Sequence, residues 1–225
     1  MKKNFLYIAA AAVLGFSSCV ELDRIPLEEL SDGSFWKSAT DAEMAVSDLY
    51  PSLPSIYEID DAINSDDAVH GIKWAAGNVS KGIYDPLDMG WSGSYGAIRQ
   101  ANVILSKIDE VPNYETADKN KVLGQTYFFR AFHYFDLIRT FGDVPYIDKP
   151  LTLADQEGIT RAPRAEVYSK MMADFDKAIE YLPTSWSGSD YGRITKGAAL
   201  AMKARAALYY GDWQVAAANA KKCMD

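Results

Sequence analysis

The 225-residue chain has few of the residues that most often build a chemical centre. Its two cysteines and two histidines are too few for a Cys/His zinc site or a disulfide framework, and we expect Cys223 to be a free thiol. It contains no glycine-rich phosphate loop and no Gly-x-Ser-x-Gly nucleophile elbow. It has no long basic run, and its formal net charge of -8 disfavours contact with nucleic-acid phosphates. We therefore expect no metal centre, no cofactor and no nucleic-acid partner.

The apolar run at the N-terminus is short. It covers residues 5–16, which is too little to span a bilayer but is typical of a secretory signal, and it follows Lys2 and Lys3. Two serines then precede Cys19, and this arrangement resembles the lipobox of bacterial lipoproteins. The resemblance implies a signal peptide over residues 1–18 and a lipid on Cys19; a soluble secreted protein with an ordinary thiol is the alternative. Removal of the signal takes away two lysines and no acids, so the net charge of -8 becomes -10.

The remaining sequence predicts helices joined by polar loops. Thr40-Asp41-Ala42-Glu43 has the spacing of a capping box, which predicts a helix that begins there and stops at Pro51. Gly142 suits a left-handed C-cap and Thr195 suits an N-cap. Apolar periodicity predicts further helices over 92–108, 122–141, 166–182 and 196–210, and from Trp213 onward. No segment predicts a strand long enough to carry a sheet, so we predict an all-α fold.

Several polar and aromatic residues fall on the apolar faces of these helices. Arg130 lies among aromatic residues and is predicted to meet a buried acid or helix carbonyls, because an unpaired buried charge is costly. His133 is predicted to be a hydrogen-bonded core histidine rather than a metal ligand. Trp91, Tyr95 and Asn102 are predicted to pack and to brace loops rather than to contact a ligand.

The last two predicted helices resemble a tetratricopeptide repeat. Small residues from Ala204 onward precede the turn Gly211-Asp212-Trp213, and Ala216 and Ala220 follow it. Small residues let two antiparallel helices approach closely, as in these repeats. The spacing of the helix pairs is irregular, so we predict a degenerate tetratricopeptide-like helical-repeat bundle with long irregular loops.

Blocks of residues from Cys19 to the end of the chain resemble the SusD/RagB family in order. The matching blocks are Phe35-Trp36 before Thr40-Asp41-Ala42; Trp91, Tyr95, Ile98 and Ala101-Asn102; Arg130-Ala131, Tyr134-Phe135 and Phe141-Gly142-Asp143-Val144-Pro145; Arg161, Val167-Tyr168 and Asp174; and Gly192-Arg193-Ile194-Thr195-Lys196 through Gly211-Asp212-Trp213. The resemblance implies that residues 19–225 form the N-terminal helical-repeat part of this fold and that the C-terminal half is missing.

The same resemblance implies a function. Members of the SusD/RagB family are lipid-anchored proteins on the outer face of the outer membrane of Bacteroidetes. They bind glycans, or sometimes peptides, and act with a TonB-dependent transporter of the SusC type in carbohydrate uptake. They are not enzymes.

Residues 51–90 form a long stretch without helical or strand periodicity, and such stretches are often functional. The resemblance implies that sugar-binding residues lie here, and we expect Asp67, His70, Trp74 and Asn78 to bind glycan. A tryptophan ring can pack on the C–H face of a sugar, while the polar side chains pair with hydroxyl groups. Alternatively, Trp74 anchors the loop against the bundle and the acids are solvated.

Two functions from other classes remain open. The chain could be a helical-repeat adaptor that binds protein or peptide partners only. It could also be a secreted glycoside hydrolase, with Asp60-Asp61 and Asp66-Asp67 as paired carboxylates, although adjacent acids in such loops more often form turns or weak calcium sites.

Overall fold

The computed structural model describes residues 35–54, 82–83 and 90–224. The described residues from Trp36 onward belong to one compact unit. They form six α-helices: α1 (Ala39–Ser47), α2 (Ser92–Lys107), α3 (Thr116–Phe141), α4 (Arg164–Tyr181), α5 (Lys196–Tyr210) and α6 (Trp213–Met224). Short 3-10 helices cover Tyr50–Ser52, Ile108–Glu110, Ala154–Gln156 and Gly188–Asp190. These described ranges contain no β-strand beyond the isolated bridge between Val144 and Ala162, which confirms the all-α prediction.

None of the six helices combines the length and the apolar character that a membrane-spanning helix needs. This holds for the described residues, from 35 to 54 and from 90 to 224.

The capping box at the start of α1 is formed by other residues than those predicted. The N-cap is Ser38, whose hydroxyl accepts from the backbone N–H of Asp41 at 3.4 Å, while the Asp41 carboxylate accepts from the backbone N–H of Ser38 at 2.8 Å. The predicted capping box of Thr40 and Glu43 was therefore wrong. The physical reason is that Ser38 has the extended backbone (φ -145°, ψ 162°) that an N-cap needs, whereas Thr40 already lies inside the helix.

The central helix of the bundle is α3, which packs against α1, α2, α4 and α5. Its 26 residues span about 39 Å. It begins at Thr116 rather than at the predicted 122, because its first turns are polar and exposed and carry no apolar pattern. It ends at Phe141 as predicted, and Gly142 has the positive φ of 71° expected there, although its ψ of -113° lies outside the left-handed helical region.

The end of α4 packs tightly on α3 at a glycine, Gly124. A Cβ atom on Gly124 would lie 3.0 Å from the Leu182 side chain, 3.1 Å from the Leu182 backbone nitrogen and 3.1 Å from Tyr181 Cβ. Two of those three atoms belong to the backbone or lie next to it, so they cannot move aside cheaply. The close packing of the end of α4 on α3 therefore favours glycine at this position.

The α5–α6 pair has the geometry predicted for a tetratricopeptide-like repeat. Thr195 caps α5 by accepting from the backbone N–H of Ala198 at 3.3 Å, and α5 covers the predicted 196–210. Gly211 adopts a left-handed conformation (φ 92°, ψ 12°) that turns the chain into α6. Ala207 on α5 and Ala216 on α6 are buried, and their small side chains allow the helices to lie close together. Ala220, predicted for the same role, is exposed, and the neighbouring Asn219 is buried instead.

The side chain of Tyr50 links the segment after α1 to helix α3 and to the segment before α5. The Tyr50 hydroxyl donates to the side-chain oxygen of Gln125 on α3 at 2.6 Å. The same hydroxyl accepts from the backbone N–H of Ile194, just before α5, at 3.0 Å. Residues 144 positions apart in the sequence are thus linked through a single side chain.

Candidate functional site

The residues predicted to bind glycan lie outside the described residues. Asp67, His70, Trp74 and Asn78 belong to the range 55–81, and the predicted lipid-bearing Cys19 belongs to 1–34. Their roles stay predictions. The structure describes the chain up to residue 54 and again from residue 90, with residues 82–83 between them. The contacts of these two flanks show where the segment of the candidate site leaves and rejoins the bundle.

The chain is fixed on α3 just before residue 55. The Ser52 hydroxyl donates to the carbonyl oxygen of Leu49 at 2.6 Å and lies 2.9 Å from Nε2 of His133. Since this hydroxyl has one proton and donates it to Leu49, it accepts the hydrogen bond from His133, and this pattern assigns the imidazole proton to Nε2. Burial lowers the pKa of His133 to about 4, so the ring is neutral at ordinary pH. His133 is a hydrogen-bonded core histidine, as predicted.

The chain is fixed on α3 again just after residue 89. The Trp91 ring packs edge-to-face on Tyr95 (centroids 5.7 Å apart) and against Phe141 at the end of α3 (5.6 Å). Its ring also carries the guanidinium of Arg161, whose Cζ is 5.3 Å from the ring centroid. His133 and Phe141 are eight residues apart on α3, or about 12 Å along the helix axis. The two flanks of the segment that carries the predicted sugar ligands therefore lie on the C-terminal half of one helix.

The family-like motifs on α2, α3 and α4 meet in a buried polar cluster. Arg130 donates from Nε and Nη2 to the two carboxylate oxygens of Asp174, each at 2.7 Å, and from Nη1 to the side-chain oxygen of Asn102 at 2.9 Å. Burial acts to lower the pKa of Arg130, but its hydrogen bonds to Asp174 and the charge of that residue outweigh burial and raise the pKa, so the guanidinium stays charged. The prediction that Arg130 meets a buried acid is confirmed.

This cluster holds the connector between α3 and α4. The Asn102 amide donates to the carbonyl oxygen of Ile147 at 2.9 Å, and the Tyr95 hydroxyl donates to that of Pro145 at 2.7 Å. The Tyr134 hydroxyl donates to the Ile147 carbonyl oxygen at 2.8 Å and accepts from the Ile147 N–H at 2.7 Å. Tyr95 and Asn102 thus brace a loop, as predicted. The double role of Tyr134 was missed, because a buried tyrosine in an aromatic helix gives no sign of its partner.

A polar cleft lies between the start of α3 and the loop that leads to α5. Its lining includes Asp118, Lys121, Trp186, Asp190 and Arg193. Lys121 pairs with Asp118 at 2.7 Å, and Arg193 pairs with Asp190 at 2.8 Å. The Trp186 ring donates its own N–H to the carbonyl oxygen of Ile194 at 2.8 Å. These three contacts each join residues on the same side of the cleft, and the loop is linked across it to α3 by Arg193 Nη1, which donates to the side-chain oxygen of Gln125 at 3.4 Å.

Comparison with known proteins defines the class of this helical bundle. The model of a SusD-like family, described as "Starch-binding associating with outer membrane", matches residues 35–208. The match covers more than half of the chain and includes the described helices α1 to α4 and most of α5. The chain therefore belongs to the SusD-like family, which confirms the resemblance found in the sequence.

Individual relatives agree with this assignment. SusD-like protein P2 of Formosa agariphila is 30% identical over 97% of this chain and 46% of its own length. A SusD-like protein of Bacteroides fragilis has a TM-score of 0.77 at 28% identity, over 90% of this chain and 41% of that chain. A laminarin-binding SusD-like protein has a TM-score of 0.72 at 29% identity, over 81% of this chain and 42% of that chain. The present chain spans just under half the length of the relatives it matches.

Proposed function

We propose that this protein is a cell-surface lipoprotein that binds a glycan, as an oligosaccharide or polysaccharide, and delivers it to a TonB-dependent transporter of the SusC type in the outer membrane. The observation that carries the proposal is the likeness of the described bundle to a SusD-like protein that binds laminarin. The matching family is described as starch-binding and as associating with the outer membrane, which supports both the ligand class and the location. The role is binding rather than catalysis.

The ligand contacts that we propose are Asp67, His70, Trp74 and Asn78. Sugar recognition needs an aromatic face for the C–H side of the ring and polar groups that orient hydroxyls, and these four residues supply both within twelve positions. The anchoring of both flanks of the segment on α3 supports the proposal, because a binding loop needs a rigid base.

Isothermal titration calorimetry of the full-length protein with a panel of neutral and acidic oligosaccharides tests the proposed function. We expect saturable binding to at least one member and no release of reducing ends on prolonged incubation. Binding to no glycan would favour the adaptor function instead, and release of reducing ends would favour a hydrolase.

Trp74→Ala is expected to weaken binding of that glycan by about tenfold, because stacked aromatic residues dominate such interfaces. Trp213→Ala is the matched control: Trp213 is 67% exposed on α6, so its loss removes a tryptophan without removing core packing. Calorimetry measures both variants and circular dichroism checks their fold. Equal affinity of the Trp74→Ala variant and the wild type would remove Trp74 from the site.

We also propose that residues 1–18 are a lipoprotein signal peptide and that residues 19–225 begin the mature protein with a lipid on Cys19. Mass spectrometry of the protein purified from solubilised outer membranes is expected to find an N-terminal peptide that starts at Cys19 and carries acyl chains, and a SusC-type transporter in the same complex. An unmodified Cys19 at the mature N-terminus would contradict the anchor.

A further inference from the structure

Two arginines lie beside the C-terminal end of α3, each over an aromatic ring. Arg161 lies over Trp91 and donates from Nη1 to the carbonyl oxygen of Asp143 at 3.0 Å. Arg164 begins α4, and its Cζ is 5.3 Å from the centroid of the Tyr210 ring. Its Nη2 donates to the carbonyl oxygen of Tyr209 in a long bond of 3.4 Å. Both guanidinium groups are thus oriented by neutral partners.

Neither guanidinium forms an ion pair with a carboxylate among the described residues, whereas Arg130 and Arg193 each do. The nearest acid in the hydrogen-bond pattern is Asp143, and its carboxylate accepts from the backbone N–H of Arg164 at 2.8 Å. It therefore serves as a cap for α4, and one positive charge of the two arginines is left unbalanced beside it. The Nε of Arg164 is sheltered from solvent and also has no partner.

Tyr210, the ring that carries Arg164, is half-buried and stacked on Tyr168, so the exposed rings near the two arginines are those of Trp91 and Tyr209. Trp91 is 37% exposed and Tyr209 is 56% exposed, while Tyr209 rests edge-to-face on Phe135 of α3 with centroids 5.5 Å apart. We call Trp91, Arg161, Arg164 and Tyr209 the arginine–aromatic strip. The strip lies along the C-terminal end of α3. Its first residue, Trp91, comes just after residues 55–89, the segment that carries the proposed sugar ligands.

The chemistry of the strip is that of acidic sugar recognition. A guanidinium offers two parallel N–H groups that match the oxygens of a carboxylate or a sulfate, and a preoriented guanidinium loses little freedom on binding. Exposed rings beside it can pack on the sugar itself. In a chain of net charge -8 a distant anion is repelled, so such recognition must come from these local contacts.

We propose that the arginine–aromatic strip binds the anionic group of an acidic saccharide, a carboxylate or a sulfate ester. This inference rests on the proposed glycan-binding function and narrows its ligand class. A neutral glycan would leave the exposed guanidinium of Arg161 and the half-buried guanidinium of Arg164 without a partner of opposite charge.

Paired ligands that differ only in charge test the inference on the full-length protein. One pair is an oligogalacturonate and its methyl ester; the other is a sulfated oligosaccharide and its desulfated form. We expect the charged member of at least one pair to bind about tenfold more tightly. Preference within the first pair assigns a carboxylate, and preference within the second assigns a sulfate.

Arg164→Gln is expected to abolish that preference by lowering the affinity for the charged member about tenfold. Arg164 makes a single long side-chain hydrogen bond and lies over the Tyr210 ring, so circular dichroism and thermal unfolding check that the variant keeps its fold. Arg164→Lys should keep part of the preference, because lysine keeps the positive charge but lacks the two parallel N–H donors of the guanidinium. Arg205→Gln is the matched control, because it removes the same charge from an exposed position on α5.

The remaining outcomes separate the two proposals. Equal affinity for both members of each pair would overturn the strip and leave glycan binding intact. An equal loss of preference in the Arg205→Gln variant would show a long-range charge effect and would also overturn the strip. Failure to bind any charged or neutral glycan would overturn the proposed function and this inference together.

Discussion

Replacement of Arg130 with methionine is expected to lower the free energy of unfolding by about 3–5 kcal/mol. The change leaves the Asp174 carboxylate buried, with 7% of its side chain exposed, and without the two hydrogen bonds that compensate its charge. It also removes the donor to Asn102, which itself holds the connector at Ile147. Urea denaturation followed by circular dichroism measures the loss.

The double variant Arg130→Met/Asp174→Leu is the control for this experiment. It removes both charges and fills the space with apolar atoms, so its loss of stability should be clearly smaller than that of Arg130→Met alone. A double variant that is no more stable than the single one would show that the ion pair contributes through packing or through Asn102. The comparison thus separates the cost of an unpaired buried carboxylate from the cost of a changed core.

Gly124→Val is expected to destabilise the protein by about 3 kcal/mol. Its Cβ would lie 3.0–3.1 Å from atoms of Tyr181 and Leu182, and its two methyl groups would lie beyond that point. Because one of the contacted atoms is a backbone nitrogen, relief requires the end of α4 to move away from α3. Thermal and urea unfolding measure the effect.

Gly96→Val provides a matched glycine in an exposed part of α2. No atom lies within 4 Å of the Cβ that it would add, so we expect a change of stability within about 0.5 kcal/mol. If both valine variants lost the same stability, the cause would be the general effect of a β-branched residue in a helix rather than the contact with α4.

The sequence predicted the fold correctly at positions where a residue can meet its physical requirement, such as a partner for a buried charge, in only one way. The charge of Arg130 within an aromatic helix demands a partner, and the structure supplies Asp174 from α4. The turn at Gly211 between two helices with small residues predicted the α5–α6 pair correctly. In both cases the requirement is local or involves a strong charge, so the sequence alone indicates it.

The sequence did not predict the structure correctly where it is compatible with two local structures. Ser38-x-x-Asp41 and Thr40-x-x-Glu43 are overlapping capping boxes two residues apart, and only the extended backbone at Ser38 selects the first. The first turns of α3 from Thr116 are exposed and polar, so they resemble a loop in pattern. The bracing of Ile147 by Tyr134 depends on how the connector folds back over α3, which no periodicity indicates.

The candidate site was predictable only in part. Residues 51–90 stand out because they lack periodicity, but the assignment of Asp67, His70, Trp74 and Asn78 rests on a family resemblance. Physical chemistry gives the residue types that sugars need and does not by itself distinguish a stacking tryptophan from a loop anchor. The sequence did not indicate the arginine–aromatic strip that we propose, because Trp91 and Tyr210, the rings beneath Arg161 and Arg164, are distant from these arginines in sequence.

The hydrogen bond from Ile194 to Tyr50 has a consequence for chain entropy. Closing a loop of 144 residues costs more entropy than closing the short turn of a helical hairpin such as α5–α6, by an amount that grows with the logarithm of loop length. A single hydrogen bond contributes about 1 kcal/mol, which is too little to close that loop alone. Helix pairs of this bundle can therefore form without the Tyr50 link, whereas the link can exist only once the helices between residues 50 and 194 are already in place.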